Sequence, residues 1–379
     1  MKAIVIGGGV IGAAVAYRLA EAGTSVTLVE AGRIAEGTSL TSFAWVSACE
    51  KIDSDSYYSL SLAAVAAHRD LVAEFGAEGV WYHRPGVIQW LGAGYEGEPL
   101  AESPLQQKLA RLAALGYPAE LIGSDELARL EPGLRPGALG IGDQAIHYPK
   151  DGYVEAPVMI GALVEAAITR FGMELRTHMP VRRLVVVNGR ATGVETASGE
   201  ILSADVIVNC AGRWANEVVG SSDYAIPLAP TLGLIAYTPA VGTLIRKVLR
   251  TPNLNIRADG GGRLLLRAND LDKTLSADDA AGPDHDAAIE LARRLGELVP
   301  SLAGIHAEAA RIAIRPIPQG GLPCVGNLPG LDNYWVAVTH GGINTSAFIG
   351  IALRDEILKG QQAPECAPYR PDRFFKAAA

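Results

Sequence analysis

The sequence predicts an α/β fold, α+β overall, in which parallel strand–helix–strand pieces alternate along the chain with antiparallel ones. Three observations carry this. Residues 2–29 read as strand, glycine turn, helix and strand. A second α/β stretch begins near Tyr153 and runs to the helix that starts at Trp214. After it, residues 227–237, 253–257 and 263–267 read as strands joined by turns such as Asp259-Gly260-Gly261-Gly262, which is antiparallel character.

The opening unit is the most informative. Lys2–Ile6 is apolar on both faces, as a buried parallel strand should be. Gly7, Gly9 and Gly12 then fit G-x-G-x-x-G, with Val10 and Ile11 inside the motif. These glycines give a tight turn, close backbone approach to a pyrophosphate, and close helix-on-strand packing. Residues 10–22 carry Ile11, Val15 and Leu19 at helical spacing and stop before Gly23. Ser25–Val29 is the second strand, and Glu30 ends it where a carboxylate binds a ribose hydroxyl pair. The set, in register, predicts a dinucleotide site; the competing reading is a ligand-free glycine turn.

Gly32 to Ala48 is poor in charge and rich in Gly, Ser and Thr, which suits a loop along a phosphate or ribityl chain. A plain surface connection is the alternative, though Phe43 and Trp45 would be odd there. Residues 54–75 read as a long helix closed by Gly76. Residues 81–83 and 86–91 flank Arg84-Pro85 and read as a hairpin. Ser103-Pro104 caps a helix over 105–115, and Ser124 opens a short one. Ala156–Phe171 is amphipathic and helical. Residues 184–187, 194–196 and 206–208 read as strands, with Asn188-Gly189 and Ser198-Gly199 as turns. The strand at 206 ends in small residues, Cys210-Ala211-Gly212, that let a backbone approach a cofactor or simply turn. Residues 284–299 form a charged helix, and 306–314 a strand leading to Arg315-Pro316. Tyr334–Val338 is the last strand, and His340-Gly341-Gly342-Ile343-Asn344-Thr345 feeds a final helix through Leu358.

Composition sets the outer limits. The 379 residues are 49% hydrophobic and 20% charged, which is globular rather than disordered. A net charge of −8 without Lys/Arg runs excludes a nucleic-acid partner. The apolar start is explained by the strand–turn–helix rather than a signal peptide, and no stretch predicts a membrane span. The four cysteines, Cys49, Cys210, Cys324 and Cys366, form neither a C-x-x-C nor a metal-ligand spacing. A reduced, cytoplasmic setting is the default expectation.

Taken together, GGGVIGAAVAYRLAEAG with Glu30, TSFAWVSA, ADVIVNCAGRWA, IRPIPQGGLPCVGNLPGLDNYWVAVTHGGINTSAFIG and YRPDRF resemble the D-amino-acid oxidase superfamily of FAD-dependent oxidoreductases. The glycine oxidase, sarcosine oxidase and D-amino-acid dehydrogenase branches are the nearest likenesses, and they cover nearly the whole chain. The resemblance implies a Rossmann-type FAD-binding domain (1–76, 143–221 and 315–379) interleaved with an antiparallel-sheet substrate domain (77–142 and 222–314). It implies that Gly7, Gly9, Val10, Ile11 and Gly12 approach the pyrophosphate and that Glu30 and Ala31 meet the adenosine ribose. Arg33, Ser39, Thr41, Ser42, Ala44 and Trp45 would line the cofactor's middle and ring. Val181, Ala211, Gly212 and Trp214 would close over it, and Gly341, Gly342, Ile343, Asn344 and Thr345 would point N–H groups at the ring.

For substrate, the resemblance singles out Arg315, whose counterpart clamps the substrate carboxylate. A buried guanidinium suits a bidentate hold on a carboxylate, and a structural ion pair is the competing reading. Trp45, Phe43, Tyr237, Asn255 and Arg257 stand where they would face the pocket. His340 admits two readings, a base or a packing residue. The implied reaction is oxidation of an amino or imino acid (a D-amino acid, glycine, an N-methyl amino acid or a proline-like acid) by hydride transfer from the α-carbon to flavin, giving an imine. Alternatives on the same fold are a 2-hydroxy acid dehydrogenase and an FAD-binding subunit of a hetero-oligomeric amine dehydrogenase. Some relatives attach FAD through a Cys where Arg315 stands or a His in the first loop; neither is here, so non-covalent FAD is expected, with Cys49 unassigned. The lysine that sarcosine oxidases use toward oxygen falls near Leu265. Oxygen and a carrier or quinone therefore both remain open as acceptors, as do homo- and hetero-oligomeric assembly.

Overall fold

A computed structural model describes residues 1–90, 104–140, 142–242 and 245–375. Lys2–Ile6 forms the middle of a six-stranded sheet because both of its sides find apolar cover: Ala3 and Val5 in one core cluster, Ile4 and Ile6 in another. Ser25–Val29 and Val206–Asn209 flank it in parallel. Glu174–Arg176 extends one edge in parallel, Tyr334–Val338 extends the other, and Cys324–Asn327 closes that side antiparallel. Helices Val10–Glu21, Asp55–Phe75, Ala156–Phe171 and Gly342–Lys359 contribute to the cluster on the Ala3 side. The first and last of these lie close enough that a Cβ at Gly350 would stand 2.8 Å from Ala14 O. The opposite cluster includes a meander, Val181–Val187, Arg190–Thr196 and Ile201–Ser203. Its first turn, Asn188-Gly189, has both φ values positive (51° and 75°), as a two-residue hairpin loop requires.

The second large sheet has eight strands, in the order Ala309–Arg315, Thr231–Tyr237, Arg263–Arg267, Asn255–Asp259, Val248–Arg250, Val87–Gln89, Ala145–Tyr148 and Glu120–Ile122. Every pair is antiparallel except Val248–Arg250 with Val87–Gln89. Side chains alternate between its faces. Leu234, Leu264, Leu266 and Ile256 share one cluster with the apolar side of helix Asp286–Leu298. The register pairs Tyr237 with Leu265, Leu265 with Arg257, Arg267 with Asn255, and Asn255 with Arg250, so these five polar residues and Leu265 occupy the other face. Arg315 ends the edge strand, on the level of Thr231.

The hairpin read into 81–91 does not form. Tyr82–His83 pairs with Gly152–Val154, which also pairs with Trp45–Val46, whereas Val87–Gln89 joins the eight-stranded sheet. Gly86 (φ 90°) turns the chain from one sheet to the other, and each strand finds its partner far away in sequence. The helix expected at 105 spans Pro104–Ala114; its expected cap, Ser103, and Leu91 lie outside the described residues. Ser54 does cap its helix, its Oγ accepting from the Tyr57 N–H. All four cysteines are free and buried. Among the described residues no helix is long and apolar enough to cross a membrane, and no cluster could hold a metal ion.

Candidate cofactor cavity and active site

A cavity of about 590 Å³ opens at the carboxyl ends of the parallel strands. The glycine turn builds its floor. Gly7 has φ 104°, and a Cβ on it would meet Cys210 O at 2.6 Å; a Cβ on Gly12 would meet Gly7 O at 1.8 Å. Only glycines let the helix start sit this close to the strand ends. Helix Val10–Glu21 has no side-chain cap at Gly9, and Val10 N–H donates to Ser39 Oγ (3.0 Å). The remaining first-turn N–H groups point out of the helix without partners in it, the arrangement that receives an anion. Glu30 is held by two backbone donors, Gly8 N–H to Oε2 (2.6 Å) and Gly32 N–H to Oε1 (2.8 Å). Each carboxylate oxygen keeps a lone pair for another donor.

Beside the helix Val10–Glu21 a second uncapped helix begins, so close that a Cβ on Gly342 would stand 3.5 Å from Ile11 Cδ1. Gly341 is the cap residue of Gly342–Lys359, and Gly342 and Ile343 line the wall. His68, wholly buried, supports this start from behind, with Nε2 at 2.9 Å from Ile343 O; since a carbonyl only accepts, Nε2 carries the proton. Burial pushes the His68 pKa down to about 4, so the ring is neutral. The remaining wall includes Ala31, Ser42, Val181, Ala211, Gly212 and Trp214 from the expected set. Glu36, Thr38, Met179, Pro180, Arg213 and Pro316 join them without having been singled out. Small, apolar or loop-borne, these carry no signal a motif would catch.

Several expected residues stand elsewhere. Arg33 is largely exposed and pairs with Glu36 (2.8 Å), which takes the wall position instead. Thr41 is tied by its N–H to Thr38 O. Asn344 Oδ1 accepts Ser47 N–H (3.0 Å), and Thr345 Oγ1 donates to Gly341 O (3.0 Å), so both side chains stitch the helix start together. Ala44 holds φ 57°, an unusual value for a residue with a Cβ, and its N–H bonds Ser42 Oγ. Arg257 is correspondingly not open to a ligand: Nε donates to Phe43 O (2.8 Å), Nη1 to Ala258 O (2.7 Å), and Asp259 pairs with it. It braces the strained loop. Phe43 is buried beside it, and Tyr237 OH reaches toward Leu40 O.

Beyond the end of the cavity lined by His340 and Pro316 lies the polar face of the eight-stranded sheet. Arg250 stacks its guanidinium 4.2 Å from the Trp45 ring centre and pairs with Glu50 (2.8 Å). Asn255 is buried next to it. Arg267 and Arg315 converge on one oxygen, Asp272 Oδ2, at 2.8 and 2.6 Å. The Arg315 guanidinium lies over Gly233, where a Cβ would be 1.9 Å away. Among the described residues its Nε and Nη1 have no partner. His340 lines the cavity on the near side and is exposed to it; partial desolvation first, then the charges of Arg315, Lys51 and Arg267, lower its pKa. It is neutral at pH 7 and too weak a base for efficient proton abstraction there.

The cavity thus offers two open helix starts, a pre-held carboxylate and glycine clearances, a donor set that fits a dinucleotide along its length. A model of the FAD-dependent oxidoreductase family, DAO, matches residues 2–356. The glycine oxidase of Pseudomonas putida is 28% identical over 98% of either chain. The solved glycine oxidase of Geobacillus kaustophilus shares the fold at a TM-score of 0.83 with 24% identity, covering 98% of both chains. The L-proline dehydrogenase of P. horikoshii does so at 0.83 with 19% identity, covering 98% of this chain and 97% of its own. Because the family model runs across nearly the whole chain, this protein belongs to the DAO family of FAD-dependent oxidoreductases and uses FAD as its cofactor.

Proposed function

We propose that the enzyme oxidises a carboxylate-bearing amine, an amino or imino acid, at its α-carbon. The observation that carries this is Arg315: a guanidinium with two nitrogens uncommitted among the described residues, next to the cavity-lining Pro316 and near enough to the cavity-lining His340 to lower its pKa. It binds the substrate carboxylate while Asp272 holds its third nitrogen in place. Trp45 and Phe43 supply apolar cover that excludes water, and Arg257 keeps their loop in its strained form. Such positioning sets the α-carbon against the cofactor. FAD, when bound, supplies the hydride acceptor.

The residues that hold FAD in this reading are Gly7, Gly9 and Val10 at the pyrophosphate, Glu30 at the ribose, and Gly342 and Ile343 at the ring. Neutral His340 avoids a second charge beside the ring. The Cys49 thiol, buried and pushed up to about 12, is unreactive, in keeping with non-covalent FAD. The proposed division keeps an FAD-binding part (1–76, 143–221, 315–379) and a substrate part (77–142, 222–314), working in the cytoplasm as a homo- or hetero-oligomer with oxygen or a carrier as acceptor. Anaerobic mixing of the FAD-loaded protein with glycine, N-methyl amino acids, D-amino acids, proline analogues and 2-hydroxy acids tests the reading. Bleaching by amines bearing a carboxylate supports it. Bleaching by hydroxy acids alone, or by nothing until a partner chain is added, rejects it.

A further inference from the structure

Among the described residues, the polar face of the eight-stranded sheet carries more cation than its two carboxylates balance. Arg250, Arg267 and Arg315 project from it, and Lys51 approaches from the loop after Trp45. Against these four positive charges stand, among the described residues, Asp272 and Glu50. Glu50 also pairs with Lys108, which widens the excess. Asp272 cannot answer both of its arginines, because Oδ2 serves the two together and Oδ1 accepts Leu234 N–H (2.9 Å). Lys51 makes no ion pair among the described residues and rests 4.7 Å over the Tyr57 ring. His340, being neutral, adds no charge of either sign. Asp272, 7% exposed, and Arg315, 19% exposed, are well withdrawn from water, where an unbalanced charge is expensive.

The geometry adds direction to the charge. Arg250, Asn255 and Arg267 stand side by side on three neighbouring strands, one face, in register. Adjacent strands are about 4.8 Å apart, so this row spans roughly 10 Å. The Asn255 side chain is buried and unpartnered among the described residues, and Nη1 of the partly exposed Arg267 makes no bond among them either. We propose that the substrate carries a second acid group, received by Arg267 with Asn255, while Arg315 holds the carboxylate next to the reacting carbon. The substrate class is therefore an amine with two acid groups, such as a dicarboxylic amino acid or an N-carboxyalkyl amino acid. The oxidation itself is unchanged, and the second acid group takes no part in it. This inference rests on the Arg315 reading above.

The test uses the FAD-loaded enzyme and two ligands that lack the amine: diglycolate, with two carboxylates, and methoxyacetate, its one-carboxylate counterpart. Calorimetric titration at low salt should show diglycolate binding at least about tenfold more tightly, the advantage of one added charge-assisted contact. In Arg267→Gln that advantage should vanish while methoxyacetate affinity stays within about threefold; Arg267→Lys should keep most of it. With wild type alone, added NaCl should weaken diglycolate more steeply than methoxyacetate, a readout independent of how the variants fold. Equal affinities in wild type, or a full advantage surviving in a folded Arg267→Gln, overturn the second acid group. If methoxyacetate fails to bind at all, or binds Arg315→Ala unchanged, the Arg315 reading falls first.

Discussion

The parallel sheet lines the cavity and the eight-stranded sheet lies beyond its His340 and Pro316 end, and the two are built by different means. The parallel side works through backbone: glycine clearances, two open helix starts, and Glu30 anchored by Gly8 and Gly32 N–H groups. Its contacts join near neighbours in sequence, such as Gly8 with Glu30, and distant ones, such as Gly7 against Cys210. The antiparallel side works through long charged side chains, paired both close by in sequence (Arg267 with Asp272) and across the chain (Arg315 with Asp272, Arg257 with Phe43 O). Arg257 and Arg315 show how far one sheet can separate two uses of the same side chain. Arg257 is spent on Phe43 O, Ala258 O and Asp259, whereas Arg315 keeps two nitrogens free. Backbone sites are crowded and intolerant; side-chain sites are adjustable and specific.

The contrast can be broken hardest on the backbone side. Gly12→Val places atoms where even a Cβ would be 1.8 Å from Gly7 O, and should cost about 3 kcal/mol with loss of bound FAD. Flavin absorbance per protein checks this, and a fully loaded, stable variant would show that the clearance is not needed. Next comes the arginine pair. Arg315→Ala should raise KM for carboxylate substrates about 30- to 100-fold with FAD retained, the worth of a lost charged contact. Arg257→Met should instead lower the melting temperature and leave KM of the surviving enzyme nearly unchanged, since it unties the loop. Swapped outcomes would reverse the roles assigned to the two residues.

A smaller effect should appear in pH. His68 titrates near 4 in the folded chain and near 6.5 when unfolded, so between those values the unfolded state binds more protons. Stability then falls as pH drops through that window, by about 2 kcal/mol at pH 5 for this group. Asp151, buried and pushed up to about 6, works the other way over part of the same range. The difference between wild type and His68→Gln isolates the histidine: the variant's melting temperature should fall less from pH 7 to pH 5, and parallel curves would refute the assignment. Glu30→Ala should weaken FAD about tenfold, read by equilibrium dialysis, through loss of a ribose acceptor. Undiminished retention would leave Glu30 only its backbone bonds.

The strands Lys2–Ile6, Ser25–Val29 and Tyr334–Val338, and the helix Ala156–Phe171, could be read from the sequence with their bounds because period and punctuation agree locally. The glycine turn at Gly7, Gly9 and Gly12 was legible in the same way, and Gly7, Gly9, Val10 and Glu30 all line the cavity. What escaped was non-local. Short strands such as Glu120–Ile122 and Val248–Arg250 have too few residues to show a period. The separation of Tyr82–His83 from Val87–Gln89 is decided by partners far along the chain. Likewise, Arg315 could be named from its motif, but nothing near Arg267 or Asp272 in sequence announces that both meet it at one oxygen. The sequence by itself determined the strand–turn–helix units that line the cavity, since backbone conformation is set largely by neighbouring residues. Only the tertiary structure decided which arginines are bound up and which are free, because a charge finds its partners through space.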